Sequence, residues 1–295
     1  MSRSTRSSLA RLRAAYTGEH VAAARQGVGR QGDLGMDRCT VPQQRLRTLL
    51  GTHLFNAGDI STLVGWSVVS TLTHYTITMS PRFDDLVLVA DCPTNVLGYL
   101  VPEGDGTYVS ELPGLRLSDT DGQETYRLIH LPTGARMTVT GQPRTVFDRS
   151  RFVAEAGMSK AGRKWWTPDV PLARAEEEML RFNPVPPDCV ARIIQALVVR
   201  LSAHDPRNMW AMGYWFYDPL RRPNLPSGGR TLRRLIGAGP NWQLQWTGYP
   251  HLTDIVAMLT DDVFGLHGVT VESTRHYVDL NLDGETLRLQ AWLQE

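Results

Sequence analysis

Gly27, Gly29 and Gly32 stand in the spacing G-x-G-x-x-G. In a dinucleotide site that spacing lets a tight turn bring backbone amides against a pyrophosphate, with a strand before the glycines and a helix after them. Here a helical segment precedes them and Gly32-Asp33-Leu34-Gly35 follows, which reads as a glycine-rich loop. Asp84, Asp85 and Asp91 bracket the apolar run Leu86-Val87-Leu88-Val89. Carboxylates at strand ends can hold Mg2+ for nucleotidyl transfer. Adjacent Asp84 and Asp85 point to opposite faces of a strand, and Asp85 and Asp91 lie ~20 Å apart at ~3.3 Å per residue. They read as turn residues flanking a buried strand.

The histidines (His20, His53, His74, His130, His204, His251, His267 and His276) form no His-x-x-x-His pair and have no local cysteine partner. Gly65-Trp66-Ser67-Val68 lacks the second glycine of a nucleophile elbow, and Gly228-Gly229-Arg230-Thr231 lacks the lysine of a phosphate-binding loop. No metal site and no cofactor are expected. The balance leans away from an enzyme, which would need a site assembled in space around residues such as Asp84, Asp85, His74 and His130.

Two clusters suit binding better than catalysis. Lys160 and Lys164 are the only lysines, and they lie beside Arg163 and the tandem Trp165-Trp166. Cations neutralise phosphates and flat rings stack on unpaired bases, so this cluster, with Arg11 and Arg13 near the N-terminus, is the candidate nucleic-acid surface. The bland alternative is a connection anchored to the second half by its tryptophans. The second cluster is aromatic: Trp210, Tyr214, Trp215 and Tyr217 in one segment, Trp242 and Trp246 in another. These are candidate protein contacts, because such rings are enriched at interface cores. A strand buried on both faces explains the first segment equally simply.

The elements that must position these residues follow from pattern and composition. The chain has 295 residues, 42% of them hydrophobic, enough for a sizeable core without disulfide or metal staples. The three cysteines, Cys39, Cys92 and Cys189, are dispersed and odd in number, which fits a reducing, cytoplasmic setting. No run of 18 apolar residues marks a membrane span. Arginine supplies nearly all the positive charge, as in proteins of GC-rich bacterial genomes. Net charge is +1, yet residues 1–30 carry six arginines against the single acid Glu19. A detachable, basic helical arm over residues 1–38 is therefore expected.

The rest reads as α+β: antiparallel sheets with packed helices, in a first region (39–145), a connection (146–164) and a second region (165–295). Thr17 is expected to cap a second short helix after the first. Thr40-Val41-Pro42-Gln43 is a capping box opening a helix with Leu46, Leu49, Leu50 and Leu54 on one face. A helix is expected from Asp59 to about Val69, and strands over 74–79, 86–89, 126–131 and 136–139. Helices are expected over 172–181, from Asp188 onward, and over 251–259, with aromatic strands over 209–217 and 241–249. Asp283-Gly284 predicts a type I′ hairpin with Leu282 opposite Glu285, Leu280 opposite Leu287, Val278 opposite Leu289, and Asp279 facing Arg288. No internal repeat is visible. The leading expectation is a non-enzymatic protein-binding or assembly protein, by partner or self-association and without a membrane; the alternative is a nucleic-acid-binding protein.

Overall fold

The structure is a computed structural model that describes residues 3–29, 31–56, 76–103, 111–121, 124–141, 165–212, 215 and 233–291. The expected helix from Asp59, the Gly65 and Gly228 motifs, His74 and Leu293 lie outside them. Three helices come first: α1 (Arg3–Thr17), α2 (Val21–Gly27) and α3 (Val41–Asn56). The first sheet follows, with β1 (Thr76–Pro81), β2 (Asp85–Ala90), helix α4 (Pro93–Leu100), then β3 (Leu115–Thr120), β4 (Thr125–His130) and β5 (Ala135–Gly141). Helices α5 (Arg174–Phe182) and α6 (Asp188–Val199) lead to the second sheet. That sheet holds β6 (Arg233–Ala238), β7 (Asn241–Trp246), helix α7 (Leu252–Leu259), β8 (Thr270–Ser273), β9 (Val278–Leu282) and β10 (Glu285–Ala291). The class is α+β with a helical N-terminal segment, as the sequence implies.

The C-terminal hairpin has the register its turn chemistry dictates. Asp283 and Gly284 adopt φ of 47° and 89°, the left-handed values of a type I′ turn. Leu282 then faces Glu285, Leu280 faces Leu287 and Val278 faces Leu289. Arg288 holds Asp279 with both carboxylate oxygens at 2.8 Å.

The expectation of no repeat is overturned. The sheets have strand orders β1-β2-β5-β4-β3 and β6-β7-β10-β9-β8, the same path traced twice. Each path is a hairpin, a helix and a three-strand meander, and each is preceded by a long helix, α3 or α6. The last strand of each meander pairs in parallel with the second strand of its hairpin, so the sheets are mixed rather than wholly antiparallel. In-register positions match in burial although not in identity. Leu86 and Leu88 of β2 correspond to Trp242 and Leu244 of β7, and Met137 and Val139 of β5 to Leu287 and Leu289 of β10, all in the core. Burial tolerates any large apolar side chain that fills the space, so the pattern outlasts the letters.

The two halves are locked by their helices. Gly51 of α3 lies against α6, where a Cβ would come within 2.3 Å of Ile194 Cγ2 and 3.0 Å of Val198 Cγ2. Each helix end then closes the first strand of the other half. Asn56 Oδ1 accepts the Leu235 amide of β6 at 2.8 Å, and Ser202 Oγ, just beyond α6, accepts the Met79 amide of β1 at 2.7 Å. One core cluster spans both sheets.

Other expectations need correction. The arm is built in rather than detachable: Tyr16 stacks on Phe264 with ring centroids 4.7 Å apart, its hydroxyl donates to Asp261, and its carbonyl accepts the His204 amide. Its net charge hid an apolar and hydrogen-bonding inner face. Thr17 does not cap α2; its hydroxyl donates back to the Arg13 carbonyl, and His20 Nδ1 accepts the Ala22 amide instead. The capping box is half made: Thr40 Oγ1 accepts the Gln43 amide, but Gln43 Nε2 reaches across to the Asp84 and Arg136 carbonyls. Residues 209–212 are no strand. Trp210 turns inward while Met209 is 73% exposed, and Ala211 makes only an isolated bridge to His204.

His130 closes β4. Its Nε2–H donates to the Pro113 carbonyl at 3.1 Å and its Nδ1 accepts from the Thr133 hydroxyl at 2.8 Å, which suits the neutral ring. Burial lowers its pKa to about 4, and burial does the same for His53 at the end of α3.

Two outcomes follow from this packing. Gly51→Ala forces α3 and α6 apart and is expected to cost ~1–3 kcal/mol in urea unfolding; adding Ile194→Ala removes the clashing methyl, so the double variant loses less than the sum of the singles. Because His130 is harder to protonate folded than unfolded, its contribution to stability is complete above pH 6.5. It is lost as pH falls toward 4, by up to roughly 3 kcal/mol. Unfolding free energies of His130→Gln should therefore depend less on pH in that window than those of the parent.

Candidate functional site

Each sheet has two outer strands, and the amides on their outer side decide what the sheet can accept. Three of the four are already used. Besides Met79 on β1 and Leu235 on β6, the Leu117 amide of β3 donates to the Trp166 carbonyl at 2.9 Å. The fourth outer strand is β8. Its ladder phase follows from the type I′ turn: Leu282–Glu285 is a hydrogen-bonded pair, so Leu280–Leu287 is one too, and Leu280 spends its backbone groups on β10. Val271, opposite Leu280, therefore turns its N–H and C=O outward. No backbone or side-chain partner meets the Val271 amide among the described residues. Thr270, Glu272 and Ser273 are exposed and Val271 is half-buried.

Val271 and Leu117 occupy the same place in the two halves. Leu117 aligns across the sheet with Leu128, Met137 and Leu86; Val271 aligns with Leu280, Leu287 and Trp242. The first half fills this position with its own chain, and among the described residues nothing fills it in the second. On the solvent face, Glu272 heads a row that runs through Asp279, Arg288 and Gln243. Asp279 is taken by Arg288, while Glu272 has no charged partner among the described residues.

The residue before β8, Val269, lines a cleft of about 720 Å3. One wall is the loop 259–269 and the other is the glycine-rich loop 31–38, with Arg192 of α6 between them. Asp37 at the base is clamped by Arg200, whose two terminal nitrogens lie 2.6 and 2.9 Å from its carboxylate oxygens. Arg200 also donates to the Phe264 carbonyl and sits 5.0 Å from the Phe264 ring. Arg207 ties Asp205, Asp261 and Asp262 together behind this loop. The cleft thus has a fixed floor, with Arg38, Arg192, Asp262 and His267 exposed at its rim.

Gly27 of the G-x-G-x-x-G spacing, with Gly35 beyond it, packs around a buried arginine. Arg13 lies inside the arm, where it donates to Glu19 at 3.0 Å, to the Leu34 carbonyl at 2.8 Å and to the Pro81 carbonyl at 2.8 Å. A Cβ on Gly27 would sit 2.2 Å from its guanidinium carbon, and one on Gly35 would sit 1.9 Å from the Gly27 carbonyl oxygen. The loop is glycine-rich because it wraps an arginine.

The residues singled out from sequence are placed as follows. Trp210, Trp215, Trp242 and Trp246 are core side chains, each at most 5% exposed, and so form no surface of this chain. Tyr214 and Tyr217 lie outside the described residues, as do Lys160, Arg163 and Lys164. Trp165 and Trp166 pack on the first half, not the second: Trp165 edges onto Tyr126 and Trp166 lies under Arg116, 4.9 Å from ring centroid to guanidinium. Of the two arm arginines, Arg11 is exposed and Arg13 is buried. Asp84 is exposed, Asp85 accepts from Thr138 at 2.9 Å, and His130 is held by Pro113 and Thr133. Among the described residues no group of three His, Cys, Asp or Glu could hold a metal ion, and no helix is long and apolar enough to cross a membrane.

Sequence reasoning missed Val271, Glu272 and the cleft. One signal was present: a hairpin as regular as 278–291 needs further strands on both sides, and the last of them must be an edge.

Arg13→Ala leaves Glu19 buried without its partner and is expected to lower stability by about 3–5 kcal/mol, whereas Arg11→Ala leaves the thermal midpoint unchanged. Equal effects from the two substitutions would contradict the inward and outward placements.

No family model matches the chain, and comparison with curated proteins and with solved structures gives no match either.

Proposed function

We propose that this is a non-enzymatic protein-binding or assembly protein, and that it takes an extended segment of its partner onto the outer edge of β8. The observation that carries the reading is the outward Val271 amide, free at the one sheet edge of four that the described chain does not close. Strand addition draws affinity from such main-chain groups and specificity from neighbouring pockets. The cleft beside Val269 supplies that neighbour, and its volume lies in the range of ligand pockets, about 300–1,000 Å3.

The test is a peptide-display selection at high salt on the parent and on Val271→Pro. Proline removes the outward donor and is tolerated on an edge strand, and an unchanged melting curve confirms the fold. Peptides retained by the parent and lost by the variant are expected. Peptides held equally by both, or none retained, would sink the reading.

A second reading has its own observation. Arg3, Arg6, Arg11 and Arg25 are exposed on the paired helices α1 and α2, while Glu19, the only acid there, is turned inward to Arg13. That leaves a basic outer face suited to nucleic acid. It calls for co-purifying nucleic acid that high salt strips away and that replacing these four arginines by glutamine abolishes.

A further inference from the structure

The first half displays what a filled edge looks like. Trp166 gives its carbonyl to Leu117, its own amide donates to the Pro102 carbonyl at 3.1 Å, and Trp165 bridges Glu103. The added segment is extended and aromatic, and its rings cover the flank of β3 beside Tyr126 and Arg116. The matching flank of β8 is Val269 and Val271, which are packed against the core from one side and only partly covered. On the other face of the same strand Glu272 stands exposed, its neighbour Asp279 already satisfied by Arg288.

Resting on the strand-addition reading above, we infer that the segment received by β8 alternates large apolar residues with Lys or Arg and belongs to another protein. A strand paired on β8 sends alternate side chains to opposite faces. On one face they meet Val269 and Val271, where an aromatic or aliphatic residue completes the cover that Trp165 gives beside Tyr126 on the core face of the first sheet. On the other they meet Glu272, where a cation makes a cross-strand ion pair and extends the row Glu272–Asp279–Arg288.

In one register a second copy of this chain meets a like charge at this edge. Two β8 strands paired about a two-fold axis with Val271 opposite Ser273 bring Glu272 face to face with its own copy, at the close spacing of a non-hydrogen-bonded pair. Like charges so placed are destabilising. Edge charges of this kind are a common guard against self-pairing.

The probe is a fluorescein-labelled peptide, Lys-Val-Lys-Trp-Lys-Val, titrated against the full chain by anisotropy, with Glu-Val-Glu-Trp-Glu-Val and Lys-Ser-Lys-Ser-Lys-Ser as controls. The parent is expected to bind the first peptide and neither control. Glu272→Lys should weaken that binding about tenfold, since a favourable cross-strand pair becomes a repulsive one, and should gain binding of the glutamate peptide. Val271→Pro should abolish both. Lysine-peptide binding that ignores Glu272→Lys, or no binding of it, overturns the inference. If the glutamate or serine peptide binds the parent and Val271→Pro removes it, strand addition stands and the basic-apolar partner falls. A solution mass of two chains that Val271→Pro reduces to one places a second copy at the edge and likewise overturns it. If nothing responds to Val271→Pro, both readings fall together.

Discussion

The approach of α3 to α6 at Gly51 is the constraint on which the rest depends. Only a residue without a side chain lets the helices come this close, and closeness sets where each helix ends. Because α3 ends at Asn56 beneath β6, and α6 leads to Ser202 beneath β1, each half seals an edge that belongs to the other. The sheets are therefore held by polar contacts at their rims as well as by apolar burial between them. A wider helix spacing would leave two backbone amides with no acceptor, and orphaned buried amides carry a penalty comparable to a lost hydrogen bond.

Four arginines do for the loops what the helices do for the sheets. Arg13, Arg47, Arg116 and Arg200 are each at most 1% exposed, and each gathers backbone carbonyls from segments distant in sequence. Arg47 takes the Met36 and Arg82 carbonyls; Arg116 takes those of Val170 and Pro171 while Glu176 holds it through both carboxylate oxygens. Burial alone would raise the Glu176 pKa, but Arg116 and the Gly114 and Ala173 amides hold it below the ordinary carboxylate range. The planar, multiply donating guanidinium suits this task where a lysine would not. An arginine-rich composition thus has a partly internal meaning here, and charge counted along the sequence overstates the charge offered to partners.

Where local chemistry decides conformation, the sequence was readable. The 278–291 hairpin needed only Asp283-Gly284 and the alternation of Val278, Leu280, Leu287 and Leu289. The faces of α3 and α6 needed only their apolar spacing. Where long-range partners decide, it was not. Nothing near Arg13 says that the Leu34 and Pro81 carbonyls will surround it; Thr17 instead misled locally, because its hydroxyl bonds the Arg13 carbonyl one turn back. The aromatic run after Met209 had the composition of a strand, yet Trp210 is placed by stacking with Tyr16 and Phe264. The duplication escaped because its two copies share a burial pattern and a path rather than residues. The β8 edge escaped for a related reason: it is defined by what the other three edges have and β8 lacks among the described residues.

The crossed closure of the halves also orders events during synthesis. Met79 waits for Ser202, 123 residues further along, and Asn56 waits for Leu235, 179 residues on. A nascent first half leaving the ribosome can pair its own strands, but β1 stays unsealed until α6 has been translated, and α3 has no β6 to end against until later still. Contacts of such sequence separation form slowly, and unpaired edges exposed meanwhile invite aggregation. The interlock that makes the finished molecule hard to open makes the unfinished one dependent on rapid completion of the chain.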